Sequence, residues 1–388
     1  MGKIFLSEPS IKGHEWKYVK ECLDSTWISS AGKYVELFER KIAEYTGTKY
    51  AVACVNGTSA LQVSLRLAGV LPGEEVIVPT LTFIAPVNAV SYNGATPVFM
   101  DADKYYNIDA GKTISFINNE TVFNNGITLN KKTNKRIAAI VPVHVWGNAA
   151  YLDELVPLCE ERNIAVVEDA SESMGTVYNI GKYKGYHTGI IGRLGCLSFN
   201  GNKIITTGGG GMILTDDEIL ADKARYLTTQ AKDDQVRYIH NEIGYNFRLS
   251  NIHAALGVAQ LEQLPGFLER KQEIFYKYQT AFVNVDGIHI ADMPEYADNN
   301  HWLNIMQIDE NIFGLNRDFL MELLGKNNIH TRPVWFLNHL QRPFKKCQSY
   351  QIDMANHLLN ISLCLPSGSN VTNSEIKKII RIIINESL

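Results

Sequence analysis

An α/β fold with a mostly parallel central sheet is the class the sequence predicts, and three observations carry it. Short apolar runs alternate with longer amphipathic stretches through the first half of the chain. Those runs show no polar alternation, as expected of strands buried on both faces by helices. The 388 residues, 45% apolar and 20% charged, suffice for a large α/β domain plus a smaller one.

The elements follow in order. Residues 13–25 and 33–46 read as amphipathic helices. Residues 50–55 are a first strand, followed by Asn56-Gly57-Thr58-Ser59 and a helical run over 60–68. Pro72-Gly73 marks a turn before a strand over 75–78, a helix over 85–93 and a strand over 96–100 that ends at Asp101. Residues 103–136 are rich in Asn and Lys with little periodicity, and read as a surface excursion with one short strand pair. A strand over 137–143, a helix over 152–162 and a strand over 164–167 lead to Glu168-Asp169. LGCLSFN (194–200) and MILT (212–215) are strands flanking a Gly-rich turn, and a helix over 216–230 follows. Residues 250–283 form a long amphipathic helical stretch interrupted near Pro265-Gly266. The remainder alternates strand and helix and closes on the amphipathic IKKIIRIIINESL. The expected division is a large domain over 1–260 and a small C-terminal α+β domain over 261–388.

Charge and composition exclude several classes. The formal net charge of −4 lacks the basic surplus of a nucleic-acid binder, while leaving room for a small anionic substrate. The opening MGKIFLSEPSIKGHEW has no long apolar core and does not read as a signal peptide. The longest nearly apolar run, 137–146, is short of the roughly 20 residues a spanning helix needs. Six dispersed cysteines form no CxxC pair and no metal-finger spacing, so a cytoplasmic protein without a metal site is expected.

Four signals carry chemistry. Gly57, Thr58 and Ser59 follow a strand and open a helix, where backbone N–H groups and hydroxyls suit a phosphate; a plain helix cap is the competing reading. Asp169 lies just past a buried strand, at the sheet edge where α/β folds bind ligands, and could pair with a cationic ring nitrogen or simply cap a helix. Lys203, at the end of SFNGNK and shortly before four glycines (208–211), could present a neutral amine to an aldehyde, or be an ordinary solvated lysine. Asn246 and Arg248, in GYNFRLSNIHAAL, stand where an amide and a guanidinium could reach an anion on a neighbouring subunit, or serve the helix start. No GxGxxG follows the early strands and no GxxxxGK[ST] occurs, which argues against dinucleotide and P-loop sites. His144 in PVHVWG reads as a turn residue.

The ordered set NGTSAL, PTLTFIA, EDASESMG, SFNGNK with its glycine run, and GYNFRLSNIHAAL resembles the pyridoxal-phosphate sugar aminotransferases of the DegT/DnrJ/EryC1 family, from about Ser7 to the C-terminus. The resemblance implies the type I, aspartate aminotransferase-like transferase fold. It implies pyridoxal 5'-phosphate as cofactor, Lys203 as its Schiff-base lysine and Asp169 as partner of its ring nitrogen. Gly57, Thr58, Ser59 and Ser198 would hold the phosphate, with Asn246 reaching it from the partner of a homodimer with shared active sites. Phe83 would lie against the ring, and Trp27, Ser29 and Arg248 would be substrate-side elements. Glu172 stands where relatives usually carry Gln or His beside the cofactor hydroxyl. The 103–136 insert and NKIITTGGGGM look like the LegC-type subgroup. That subgroup implies transfer from L-glutamate to C4 of a UDP-linked 4-keto-6-deoxy-N-acetylglucosamine, for bacillosamine- or legionaminic acid-type glycans. A GDP- or dTDP-linked keto sugar (perosamine-type) is the alternative, and a non-catalytic sugar-nucleotide sensor on the same fold is the alternative of a different class. The lysine itself argues against the dehydrating members, which carry His in its place.

Overall fold

The computed structural model describes residues 2–234 and 236–385. Its large sheet contains seven principal strands: β1 Tyr50–Cys54, β2 Glu75–Pro79, β3 Thr96–Met100, β4 Ile137–Ile140, β5 Ala165–Asp169, β6 Leu194–Ser198 and β7 Gly211–Thr215. Their order is β1-β7-β6-β5-β4-β2-β3, with the two-residue strand Ser349–Tyr350 on the outer edge beyond β3. All pairings from β6 to that edge are parallel; β7 runs antiparallel to both β1 and β6. The exception has a local cause. β6 and β7 are joined directly by the Gly-rich turn, whereas parallel neighbours need a crossover connection. The strands are buried on both faces, as their unbroken apolar runs require.

Helices Glu15–Asp24, Lys33–Thr46, Gly57–Leu67, Ile84–Tyr92, Leu155–Glu161, Glu218–Thr228, Asn251–Leu261 and Leu264–Phe282 match the expected helical stretches with shifted ends. Two shifts have physical reasons. The third of these begins at Gly57 rather than at 60 because Asn56 caps it, its Oδ1 accepting the Ser59 N–H at 2.7 Å. The break in the long helical stretch falls at 262–263, before Pro265. Proline sits in the first turn of the following helix, where its missing N–H costs nothing.

The 103–136 excursion holds more than one strand pair. Thr121–Asn124 pairs with Ile127–Asn130, and a helix, Ala110–Asn119, precedes them. Asp109 caps that helix through the Lys112 N–H, and Thr113, Phe116 and Ile117 form its buried stripe. Three inward residues in a polar segment were too few to register as periodicity.

A second, antiparallel sheet orders Ile288–Ile290, Asn304–Ile308, Ser362–Leu365 and Arg332–Pro333. Its apolar core includes residues of helices Leu264–Phe282, Arg317–Lys326 and Asn373–Asn385. The final three residues of the predicted C-terminal helix lie outside the described residues. Near the N-terminus, Ile4 makes an isolated bridge to Ile329 and joins this second core, so the chain's start packs with its last third. Among the described residues no helix is long and apolar enough to cross a membrane.

Candidate active site

The C-terminal ends of β5 and β6 and the first turn of helix Gly57–Leu67 open onto one cavity of about 850 Å³. Arg332 of the second sheet, with His330 and Trp335 flanking its strand, lines another side, and Phe5 to Ser7 complete the wall.

The helix end forms a cradle. Asn56 takes the Ser59 amide, which leaves the Gly57 and Thr58 amides without a hydrogen bond among the described residues. A Cβ at position 57 would lie 2.8 Å from Ser198 Cβ and 3.2 Å from Ser171 Oγ, so only glycine lets the helix end approach these serines. Two free N–H groups, the positive end of the helix dipole and the hydroxyls of Thr58, Ser171 and Ser198 therefore border one space. That is an anion site.

Asp169 ends β5 and is buried, accepting one N–H, that of Ser171, at 3.0 Å. Burial pushes its carboxyl above the usual carboxylate range, and the Ser171 hydrogen bonds and the Lys203 charge only partly oppose this. A buried carboxylate with so few donors suits a cationic partner in the cavity. Lys203 Nζ lies 3.4 Å from Glu172 Oε1, while Glu172 Oε2 accepts the Trp146 N–H at 2.9 Å. Burial pushes Glu172 up to about 7, despite the neighbouring ammonium.

Behind this group, buried Glu168 accepts the N–H groups of Gly189, Ile191 and Gly192 and pairs with His144 Nε2 at 2.9 Å. His144 Nδ1 accepts the Ala150 N–H, so the Nε2–H donates to Glu168. The pair anchors the loop beneath Asp169. Aromatic rings make the remaining wall: Trp146 stacks on Trp335 at 3.9 Å and on Trp302 at 6.0 Å, and Phe83 stands 6.1 Å from Trp335.

The structure thus brings Gly57, Thr58, Phe83, Asp169, Glu172, Ser198 and Lys203 to one cavity. Other expected site residues lie elsewhere in this chain. Ser59 is buried in the helix, its amide taken by Asn56, and it does not line the cavity. Asn246 bridges Thr229 away from the cavity. Arg248 pairs with buried Glu39, whose Oε1 also accepts the Ala53 N–H, and so it is committed to the core between strand and helix rather than open to substrate. Trp27 is exposed, and the Trp27 and Ser29 carbonyls are held by Asn251 at the start of its helix, outside the cavity. Sequence reasoning missed Ser171, Trp146, Trp302, Arg332 and Trp335. Only Ser171 carried a signal, as a hydroxyl two residues past Asp169.

Known proteins match this arrangement along nearly the whole chain. The sequence profile of the DegT/DnrJ/EryC1/StrS aminotransferase family matches residues 9–384. A Bacillus subtilis protein named as a pyridoxal phosphate-dependent aminotransferase, EpsN, is 38% identical over 99% of this chain and 95% of its own. The GDP-perosamine synthase of Escherichia coli O157:H7 is 38% identical over 97% of this chain and 96% of its own. The crystal structure of a DegT DnrJ EryC1 StrS aminotransferase from Brucella abortus superposes with a TM-score of 0.86 at 27% identity, covering 96% of this chain and 95% of that one. The chain belongs to the DegT/DnrJ/EryC1/StrS aminotransferase family and has the type I aminotransferase fold.

Proposed function

We propose that this enzyme moves an amino group from L-glutamate to C4 of a nucleotide-linked 4-keto-6-deoxy sugar. It is a pyridoxal phosphate-dependent sugar aminotransferase. One observation carries the reading: a lysine amine, a buried carboxylate and an open helix N-terminus converge on a single cavity.

The residues present fit the cofactor. The unbonded Gly57 and Thr58 amides, with the Thr58 and Ser198 hydroxyls, would hold its phosphate. Asp169, buried and short of donors, would hold a proton on its ring nitrogen. Phe83 offers a half-exposed aromatic face to its ring. When bound, the cofactor supplies an electron sink for the carbon that carries the amino group. Lys203 would hold it covalently, and its Nζ would take and return a proton beside the carbon that carries the amino group. Glu172, fixed by the Trp146 N–H, holds that Nζ beside it.

The relative named GDP-perosamine synthase supports a GDP-linked acceptor, and its identity extends over almost the whole chain. The LegC-like strings support the UDP-linked alternative, and they cover far fewer residues. Asn246, displaced from this chain's own cavity, serves the phosphate site of a second copy in a homodimer. The test is to supply the purified enzyme with cofactor, L-glutamate and either a GDP-linked or a UDP-linked 4-keto-6-deoxy sugar, and to follow 2-oxoglutarate release beyond the single equivalent per site that glutamate alone gives. Release that depends on the GDP-sugar is the expected result. Release with the UDP-sugar alone would overturn the choice of nucleotide, and release with neither would overturn the reaction.

A further inference from the structure

We propose that Trp302 is a positioning residue for Lys203: its indole N–H fixes the turn that carries the lysine, and its ring face holds the amine in place. The inference rests on the reading of Lys203 as the reacting amine.

The contacts are specific. Trp302 comes from the segment just before the second sheet's long strand, about a hundred residues from the lysine, and is 3% exposed. Its Nε1–H donates to the carbonyl of Asn202, the residue before Lys203, at 2.8 Å. The Ser7 hydroxyl shares that carbonyl at 3.1 Å. The ring centroid lies 4.1 Å from Lys203 Nζ, within cation–π range. Trp302 is itself immobilised. Its backbone N–H donates to Asn300 Oδ1 at 2.9 Å, and its carbonyl accepts from the buried amine of Lys271 at 3.0 Å. Asn300 in turn donates to the carbonyls of Glu172 and Met174, so one segment braces both the lysine and the carboxyl beside it. Trp146 stacks beside the ring, with centroids 6.0 Å apart.

Two effects follow, and two variants separate them. An aromatic face stabilises the ammonium over the neutral amine, so removing it lowers the pH at which the amine becomes free. Losing the N–H loosens the turn and misplaces the amine. The other titratable groups facing the cavity are Asp169 and Glu172 from the large sheet and its following loop, and His330, Arg332 and Cys364 from the second unit. All are present in each variant.

The experiment uses cofactor-free protein, limiting acetic anhydride and mass spectrometry of the Lys203 peptide across pH. Trp302→Met should lower the acetylation midpoint by about half to one pH unit, whereas Trp302→Phe, which keeps a ring, should stay near wild type. Both should lower kcat about tenfold or more with the KM for glutamate little changed, because the turn places the amine and not the substrate. A folded Trp302→Met protein with the wild-type midpoint and kcat would overturn the proposal. Should Trp302→Met not fold, Trp302→Phe decides: wild-type kcat overturns the role of the N–H. If the wild type transaminates no sugar, the functional reading fails, and the acetylation midpoints still decide the place of Trp302.

Discussion

Glu172 allows a prediction whose size follows from the structure. Its carboxyl is buried, accepts one backbone N–H, and stands beside Lys203 and Asp169. Burial raises it from an ordinary 4.5 to about 7, with Asp169 adding to the rise and Lys203 opposing it. A carboxyl raised on folding stabilises the native state in its protonated form. That contribution is complete below about pH 4.5 and is lost as pH rises through about 7. At about 1.4 kcal/mol per pH unit, the folded protein should lose about 2–3 kcal/mol on going from about pH 5 to about pH 8 because of this one group. Glu172→Gln keeps an oxygen for the Trp146 N–H and does not titrate. Urea unfolding of cofactor-free protein at both pH values measures the effect, and subtracting the variant's pH dependence from that of the wild type cancels the other groups. Parallel pH profiles would refute the reasoning, because they would mean that Glu172 ionises as it does in water.

Four further substitutions test separate parts of the site and its frame. Lys203→Ala should fold normally and lose covalent cofactor attachment; a borohydride-fixed adduct found by mass spectrometry in that variant would remove Lys203 from its role. Asp169→Asn should retain cofactor poorly and lower kcat by about a hundredfold or more, and near-normal turnover would place the ring-nitrogen partner elsewhere. Gly57→Ala puts a methyl 2.8 Å from Ser198 Cβ and into the anion cradle, so cofactor affinity by equilibrium dialysis should fall about tenfold to a hundredfold. Arg248→Met leaves Glu39 buried and unpaired and should cost about 3–5 kcal/mol in urea unfolding, with partial recovery on adding Glu39→Gln.

The large sheet was legible because its strands carry unbroken apolar runs, and their ends were placed within a few residues. Gly57, Asp169, Ser198 and Lys203 could be found for a related reason. Each lies at a strand's C-terminal end or in the turn beyond it, so the parallel sheet itself carries them to one edge. Trp302, Arg332 and Trp335 obey no such rule. They reach the cavity because the second sheet folds across the first, and no local pattern encodes that packing. For Arg248 both a substrate-side and a structural role were open from the sequence, because its partner Glu39 lies 209 residues earlier, in a helix whose contact with the loop is tertiary. Helix Ala110–Asn119 was hidden by polar flanks, although Asp109 was a cap in plain view.

The most direct test of the central claim is the near-visible absorption of the purified protein loaded with pyridoxal phosphate, recorded before and after L-glutamate is added. A band from lysine-bound cofactor that disappears on glutamate addition and returns with a nucleotide-linked keto sugar is the expected result. No band after incubation with the cofactor, or a band that glutamate leaves unchanged, would contradict the assignment of Lys203, Asp169 and the Gly57–Thr58 cradle to this chemistry.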